Sequence, residues 1–316
     1  FKQKTAYEIP KRDWSSDVCS SDLADAQSMP GVFESWSTTG STMVSARPSG
    51  IRRALERSVG SEATIAACVA SSMPGTVASV PSSMAALRSA AAVAPVAGML
   101  LVSARTSGEP ADAAGVSLFL VDAAAPGLQL KSLRTQDNRR AADLVLNDVS
   151  VPAEALLGAE GGAHEALVEA LDFATVLECA EAVGAMRSAN LATLEYLKTR
   201  RQFGVPIGSF QALQHRLVDM FVSAEQARSI TLLACSRVDA AARGEIAASE
   251  CMRAVSAAKV KVCEAARHVG QEAIQLHGGM GMTQEMKVAH TFKRLTMIAQ
   301  TLGDADWHLE RFAANS

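Results

Sequence analysis

The second half of the chain repeats apolar residues at every third or fourth position, the spacing of one face of an α-helix. The repeat runs through four segments: Leu167, Leu171, Ala174, Leu177 and Ala180; Phe210, Leu213, Leu217, Met220, Ala224 and Ala227; Val255, Val262, Val269, Ala273 and Leu276; and Val288, Phe292, Leu295 and Ala299. Ser209 is the predicted N-cap of the second helix. Because such stripes are more often packing faces than ligand sites, we predict the core of an up-down four-helix bundle.

A region before the helices has the pattern of β-strands. Residues 99–104, 116–121, 128–133 and 142–149 are apolar or alternating runs separated by Gly, Pro, Asp and Asn. They predict an antiparallel β layer over residues 97–158, truncated at its start, and the helical domain follows over residues 159–316. The predicted fold class is therefore α+β, mainly α.

The residues before position 97 show no comparable pattern. Residues 1–23 have neither helical nor strand periodicity and resemble translated sequencing-adapter read-through, so we expect them not to be native. Residues 24–96 are rich in Ser, Ala, Gly and Arg, which is typical of an unfolded segment or of a shifted reading frame. We assign neither segment to a domain.

Charge and cysteine spacing argue against several classes of protein. A net charge of -3 and a pI near 6.1 give no basic footprint for nucleic acid. The six cysteines have no C-x-x-C spacing and no histidine cluster, so we predict reduced thiols and no metal site. The longest apolar run, 90–102, contains Pro95 and is too short to span a bilayer. These features predict a soluble, cytoplasmic protein.

A polar motif, RRQFGVPIGSFQ, separates the first two helical patterns. It places Arg200 at the end of the first helix and Gln211 at the start of the second. A guanidinium offers a planar fork of donors that suits a phosphate or carboxylate, although an arginine at a helix C-terminus can also serve only the helix dipole. Phe203 is expected one helical turn after Arg200, where it could cover an apolar ring.

A second motif, QLHGGMG, ends the third helical pattern with Gly278, Gly279 and Gly281. Adjacent glycines permit positive φ angles and let the backbone approach a ligand closely. A helix C-cap would account for Gly278 without any ligand. It accounts less well for three glycines in four residues.

Together, RRQFGVPIGSFQ and AIQLHGGMGMT strongly resemble the C-terminal helical domain of the acyl-CoA dehydrogenases, and the resemblance runs from about Ala97 to the C-terminus. The tail QTLGDADWHLERF is similar to the small-subunit type represented by pimeloyl-CoA dehydrogenase. The resemblance implies FAD as the cofactor, with Arg200 on its pyrophosphate and Phe203, Phe210 and Gln211 along it. It also implies that a neighbouring subunit holds the adenosine end through the run Gln275, Leu276, His277, Gly278 and Gly279.

The resemblance further implies a carboxylate base, which takes a proton from the acyl α-carbon while the β hydride passes to the flavin. Leu302 and Ala174 occupy the two family positions for that base, and Thr175 stands where some relatives place an arginine near CoA. Two carboxylates nearby are candidates. Asp304 has a helix N-cap as its alternative role, and Glu178 shares a helix face with position 174.

Three functional hypotheses remain open. The chain is a FAD-dependent subunit that performs α,β-dehydrogenation of an acyl-CoA thioester, a non-catalytic subunit that completes a FAD site and an interface, or an inert fragment of such an enzyme. In the first two cases the resemblance implies a homo- or hetero-oligomer, dimer or tetramer. It also implies an electron-transfer flavoprotein or similar acceptor. No nucleic-acid partner and no membrane span are expected.

Overall fold

The computed structural model describes residues 65–68, 87–92, 94–109 and 112–315. The predictions for residues 1–23, and for most of 24–96, lie outside the described residues. Within them, short strands precede long helices, and the fold class is α+β, mainly α, as predicted.

The β region consists of β1 (Ile65–Cys68), β2 (Leu87–Ala92), β3 (Met99–Arg105), β4 (Val116–Asp122), β5 (Leu128–Arg134), β6 (Arg140–Leu146) and β7 (Leu156–Leu157). One described sheet has the order β1-β3-β4-β7 and another has the order β2-β6-β5. The pairs are antiparallel as predicted, except that β1 joins β3 in a parallel register.

Alternate residues of β3 and β4 face opposite sides of their sheet. One side packs on the second sheet in a cluster that includes Leu100, Val121 and Leu144. The other side packs toward the helices in a cluster that includes Leu101 and Leu118, with Leu167 against it. The β3–β4 pair is therefore covered on both faces.

The described helices are α1 (His164–Thr199), α2 (Gln211–Ala242), α3 (Ala248–His277), α4 (Lys287–Ile298) and α5 (Ala305–Ala314). Contacts between side chains fix their directions. Residue numbers rise together in the α1–α3 pairs Glu178–Lys259 and Tyr196–His277, so α1 and α3 are parallel. They run in opposite senses in the α2–α3 pairs Arg216–Glu272 and Arg237–Glu250, so α2 is antiparallel to α3.

The fourth member of the predicted bundle is divided in two. Lys259 of α3 contacts the carbonyl of Ile298 at the end of α4, whereas Ser256, further back in α3, contacts His308 of α5. Both helices therefore run antiparallel to α3, one after the other. The up-down four-helix prediction is confirmed, with its last helix broken at residues 299–304.

Small side chains let the long helices pack closely. The bundle core contains Cys179, Ala182, Met186 and Ala189 of α1, Ala224 and Ala227 of α2, and Val262, Ala265, Ala266, Val269 and Ala273 of α3. The thiols of Cys179, Cys251 and Cys263 are buried and free, as predicted. Burial raises the pKa of Cys179 to about 12, so this thiol stays protonated.

Arg294 of α4 joins the bundle to the β region. Its Nε and Nη2 donate to the two carboxylate oxygens of Glu181 on α1, both at 2.6 Å. Its Nη1 donates to Asp137, between β5 and β6, at 3.0 Å. Burial alone would raise the pKa of Glu181, but the hydrogen bonds and charge of Arg294 lower it below its ordinary value. One guanidinium thus ties three elements together.

We expect Arg294→Met to lower the free energy of unfolding by about 3 kcal/mol, because it leaves a buried carboxylate unpaired. The side chain of Asp137 is only 3% exposed. The control is Arg228→Met, which removes a pair with Glu225 that is exposed on both sides and should cost less than about 1 kcal/mol. Urea denaturation of the full chain measures both, and equal losses would contradict the role given to Arg294.

Candidate functional site

The two polar sequence motifs lie at the same end of the helical bundle. Tyr196, in the last turn of α1, stacks on His277 at the end of α3, with ring centroids 4.4 Å apart. Arg200 is the C-cap of α1, follows one turn after Tyr196 and is exposed. The parallel packing of α1 and α3 therefore brings Arg200 and the glycine-rich turn to one end of the fold.

A tight hairpin follows Arg200. Its strands are β8 (Arg201–Gln202) and β9 (Val205–Pro206), and Phe203 and Gly204 between them have φ angles of 54° and 79°. Two successive positive φ angles define the type I′ turn that two-residue hairpins favour. The expectation that Phe203 lies one helical turn from Arg200 is wrong, because α1 ends before it.

The tip of this hairpin is an exposed aromatic edge. Phe203 is 90% exposed and Phe210 is 39% exposed. Their rings meet edge to face with centroids 6.0 Å apart, an arrangement that aromatic pairs favour. Two apolar rings on the surface mark a place where a ligand or another chain can bind.

The N-terminus of α2 lies directly after Phe210. Phe210 is its N-cap and supplies no side-chain hydrogen bond, and the described first turn contains no acidic residue. The prediction that Ser209 caps this helix is wrong, since its hydroxyl donates to the carbonyl of Pro206 at 2.7 Å. Gln211, the first residue of α2, is exposed. The positive end of the helix dipole is therefore open to an anion.

The glycines of the second motif have different structural reasons. Gly278 ends α3 with φ 60°, so the C-cap explanation holds for it. A Cβ at Gly281 would lie 2.6 Å from the carbonyl oxygen of Ile274, so only glycine fits there. Gly279 has a negative φ and open space where a Cβ would stand, and it is exposed. Neither strain nor crowding requires glycine at position 279.

The residues before Gly278 divide between surface and core. Gln275 is exposed, whereas Leu276 is buried and His277 is only 2% exposed. Nδ1 of His277 donates to the carbonyl of Ala273 at 2.8 Å, and burial lowers the pKa of this imidazole. Its Nε2 is then an acceptor that has no partner among the described residues. His277 supports the turn from beneath, and Gln275 and Gly279 form its surface.

The opposite half of α1 faces the link between α4 and α5. The ammonium of Lys259 is fully buried and donates to Glu178 at 3.1 Å and to the carbonyls of Ile298 and Thr301, both at 2.7 Å. Burial raises the pKa of Glu178, and the charge of Lys259 offsets only part of that rise. Arg311 of α5 binds both carboxylate oxygens of Asp172, at 2.5 and 3.0 Å.

The carboxylate of Asp304 has a structural role. Its Oδ1 accepts the backbone N–H of Trp307 at 2.9 Å, which makes Asp304 the N-cap of α5. Thr175 is buried and its hydroxyl donates to the carbonyl of Leu171 in its own helix. Both side chains thus make a hydrogen bond within their own part of the fold.

Comparisons with known proteins agree with this architecture. Residues 161–316 match the family model described as the acyl-CoA dehydrogenase C-terminal domain. The L-prolyl-[peptidyl-carrier protein] dehydrogenase of Serratia is 31% identical, over 61% of this chain and 49% of that protein. The short-chain specific acyl-CoA dehydrogenase of Sus scrofa mitochondria is 32% identical, over 58% and 44%. The FAD complex of PigA is 25% identical with a TM-score of 0.68, over 80% of this chain and 67% of that one.

Residues 161–316 therefore form an acyl-CoA dehydrogenase C-terminal domain. The chain spans about half the length of the curated relatives that it matches. Acyl-CoA dehydrogenases use FAD, and the end of the bundle that carries Arg200 fits such a cofactor. An exposed cation and an open helix N-terminus can bind a pyrophosphate, and an exposed aromatic edge can pack against a ring system.

The two positions that the sequence resemblance predicts for a base, 174 and 302, are close in sequence to residues that Lys259 contacts. Position 174 is one helical turn from Glu178, and Thr301 precedes Leu302. The sequence patterns did not point to this lysine or to Arg311. A cation on the apolar stripe between Val255 and Val262 is the signal that could have shown Lys259, because a charge on a core face requires a buried partner.

Among the described residues, no helix is both long enough and apolar enough to cross a membrane. Their His, Cys, Asp and Glu side chains form no group of three that could hold a metal ion.

His308 makes the stability of this region depend on pH. Burial lowers its pKa from 6.5 to about 4, and Nε2 donates to the carbonyl of Leu302 at 3.0 Å. Between those two pKa values the unfolded chain binds a proton that the folded chain does not. The stability contributed by neutral His308 is therefore lost as pH falls from 6.5 toward 4, by about 3 kcal/mol.

His308→Gln keeps a donor but does not titrate. Urea denaturation at several pH values should show that this variant lacks the part of the acid destabilisation that His308 causes. Parallel pH curves for the two proteins would contradict the assignment.

Proposed function

We propose that this chain is a FAD-binding subunit of an acyl-CoA dehydrogenase that performs α,β-dehydrogenation of an acyl-CoA thioester. The observation that carries the proposal is the meeting of the Arg200 motif and the Gly278–Gly279 turn at one end of the bundle, joined by the Tyr196–His277 stack. The family match over residues 161–316 supports it.

The roles of the residues follow from their exposure. Arg200 and the open N-terminus of α2 would hold the pyrophosphate, since both present donors to an anion. Phe203, Phe210 and Gln211 would lie along the cofactor. Gln275 and Gly279 would contact the adenosine end of a FAD shared with a neighbouring subunit, while Leu276, His277 and Gly278 fix the shape of that turn. When bound, FAD supplies the hydride acceptor.

One observation favours a second function, that of a non-catalytic subunit. Among the described residues, the carboxylates nearest to the base positions are already engaged: Asp304 caps α5 and Glu178 pairs with Lys259. Position 302 is a leucine, which cannot accept a proton. In that case a partner chain provides the base, and this chain provides half of the FAD site and an interface.

Both functions need a second subunit, and α2 offers a surface for it. Val218, Phe221, Val222, Leu232 and Leu233 lie on its outer side and are exposed. Neighbouring Lys261 and Glu225 line the same shallow groove. Apolar surface of this extent favours association, so we expect a homo- or hetero-oligomer, a dimer or tetramer. An electron-transfer flavoprotein or a similar acceptor would reoxidise the FAD.

The assignment of Arg200 is tested by cofactor binding. Arg200→Met should weaken FAD binding by about 10- to 100-fold, the effect of losing a charged hydrogen-bond donor. Lys198→Met is the matched control, because Lys198 is an exposed cation in the last turn of the same helix. Titration followed by flavin fluorescence measures both, and identical affinities would remove Arg200 from the site.

The two functions are separated by the activity of the purified chain. We expect acyl-CoA oxidation, followed with an artificial electron acceptor, to survive Asp304→Asn, because asparagine also caps helices. Loss of activity in Asp304→Asn at unchanged stability would make Asp304 the base. A homo-oligomer that binds FAD but gains activity only with a co-expressed partner would establish the non-catalytic function.

A further inference from the structure

The link between α4 and α5, residues 299–304, is held in a conformation that its sequence does not favour. Leu302 has a φ of 56° and Gly303 a φ of 94°. Glycine adopts such angles freely, and a Cβ at Gly303 would lie 2.5 Å from the ring of Trp307. For leucine a left-handed backbone costs about 1 to 2 kcal/mol. Something in the surrounding structure must therefore hold Leu302 in place.

Two buried groups hold this link from one side. Lys259 donates to the carbonyls of Ile298 and Thr301, and His308 donates to the carbonyl of Leu302. Ile298 ends α4, so its carbonyl lies at the negative end of the helix dipole. Besides the bond from Lys259, it accepts only the long 3.3 Å bond from the N–H of Thr301 among the backbone bonds of the described residues. Donors from α3 and α5 thus fix the carbonyl that precedes the link and two carbonyls within it.

Glu178 completes the coordination of Lys259. An ammonium has three N–H donors, and the third is directed to Glu178 on α1 at 3.1 Å. The lysine side chain is 0% exposed and that of Glu178 is 16% exposed, so the pair is shielded from water. All three donors have partners, so Lys259 of α3 is hydrogen-bonded both to α1 and to the link.

We propose that Lys259 is a positioning residue, which sets the wall of the acyl-binding site by fixing residue 302 through the Thr301 carbonyl. The proposal rests on the proposed function, which makes positions 302 and 174 neighbours of the reacting acyl group. Lys259 contacts no part of that group itself. It acts by holding α1, at Glu178, and the link at a constant separation.

Three variants separate the contributions. Lys259→Met removes all three hydrogen bonds but keeps the length of the side chain. Glu178→Gln removes the counter-charge and leaves the two lysine–carbonyl bonds. Lys259→Met combined with Glu178→Gln avoids an unpaired buried carboxylate, so it should fold even if the single lysine variant does not.

Hydrogen–deuterium exchange of the full chain reports the state of the link without any catalysis. The amides of residues 299–304 should exchange about tenfold faster, or more, in the double variant and in any folded Lys259→Met. In Glu178→Gln their exchange should change by less than about threefold. Unchanged exchange in the double variant, or equal acceleration in Glu178→Gln, would overturn the proposal.

The FAD-loaded enzyme, with whatever partner it requires, supplies a readout that a purely structural lysine would not move. The double variant should raise KM for acyl-CoA while FAD content and thermal stability change little. Lower stability and FAD content at an unchanged KM would reduce Lys259 to a structural residue. A wild-type protein without flavin or activity would instead refute the proposed function, and the exchange data would still decide whether Lys259 holds the link.

Discussion

The close parallel packing of α1 against α3 is the constraint on which the rest of the fold depends. Small residues such as Ala182, Ala189 and Ala266 line the contact, so the two backbones approach closely and cannot slide without creating voids. Both candidate regions are fixed by this one contact. The Tyr196–His277 stack lies at one end of it, and the Glu178–Lys259 pair lies further back along the same two helices.

The helices and most strands could be predicted because their apolar periodicity reports burial directly. The direction of each helix could not, since it depends on pairs such as Arg216–Glu272 that join distant segments. The expectation for Phe203 was wrong because a hairpin, not a helix, follows Arg200. Ser209 does not cap α2 because its hydroxyl donates to the carbonyl of Pro206. The break at residues 299–304 was visible, because the fourth apolar stripe stops at Ala299 and Asp304 suggests an N-cap. The contacts that Lys259 makes with this segment were not visible, because they join distant parts of the chain.

In the candidate site, too, sequence predicts some features, whereas others depend on contacts between distant segments. Motif resemblance predicts that Arg200 and Gly279 contact the cofactor, and both residues are exposed. The resemblance gave Gln275 and His277 the same role, because sequence alone does not separate exposed from buried residues. In the structure Gln275 is exposed and His277 is buried. Buried ion pairs were invisible for a physical reason. Either partner alone looks like an ordinary surface charge until the fold places it against the other.

The exposed rings of Phe203 and Phe210 give the chain an apolar surface that a binding partner would cover. Covering a phenylalanine side chain contributes about 1.5 to 3 kcal/mol, and both rings stand at one hairpin tip. A cofactor or a subunit that covers them gains this free energy. In a chain without such a partner both rings stay exposed to water. Apolar surface of this kind favours aggregation of copies that have not yet assembled.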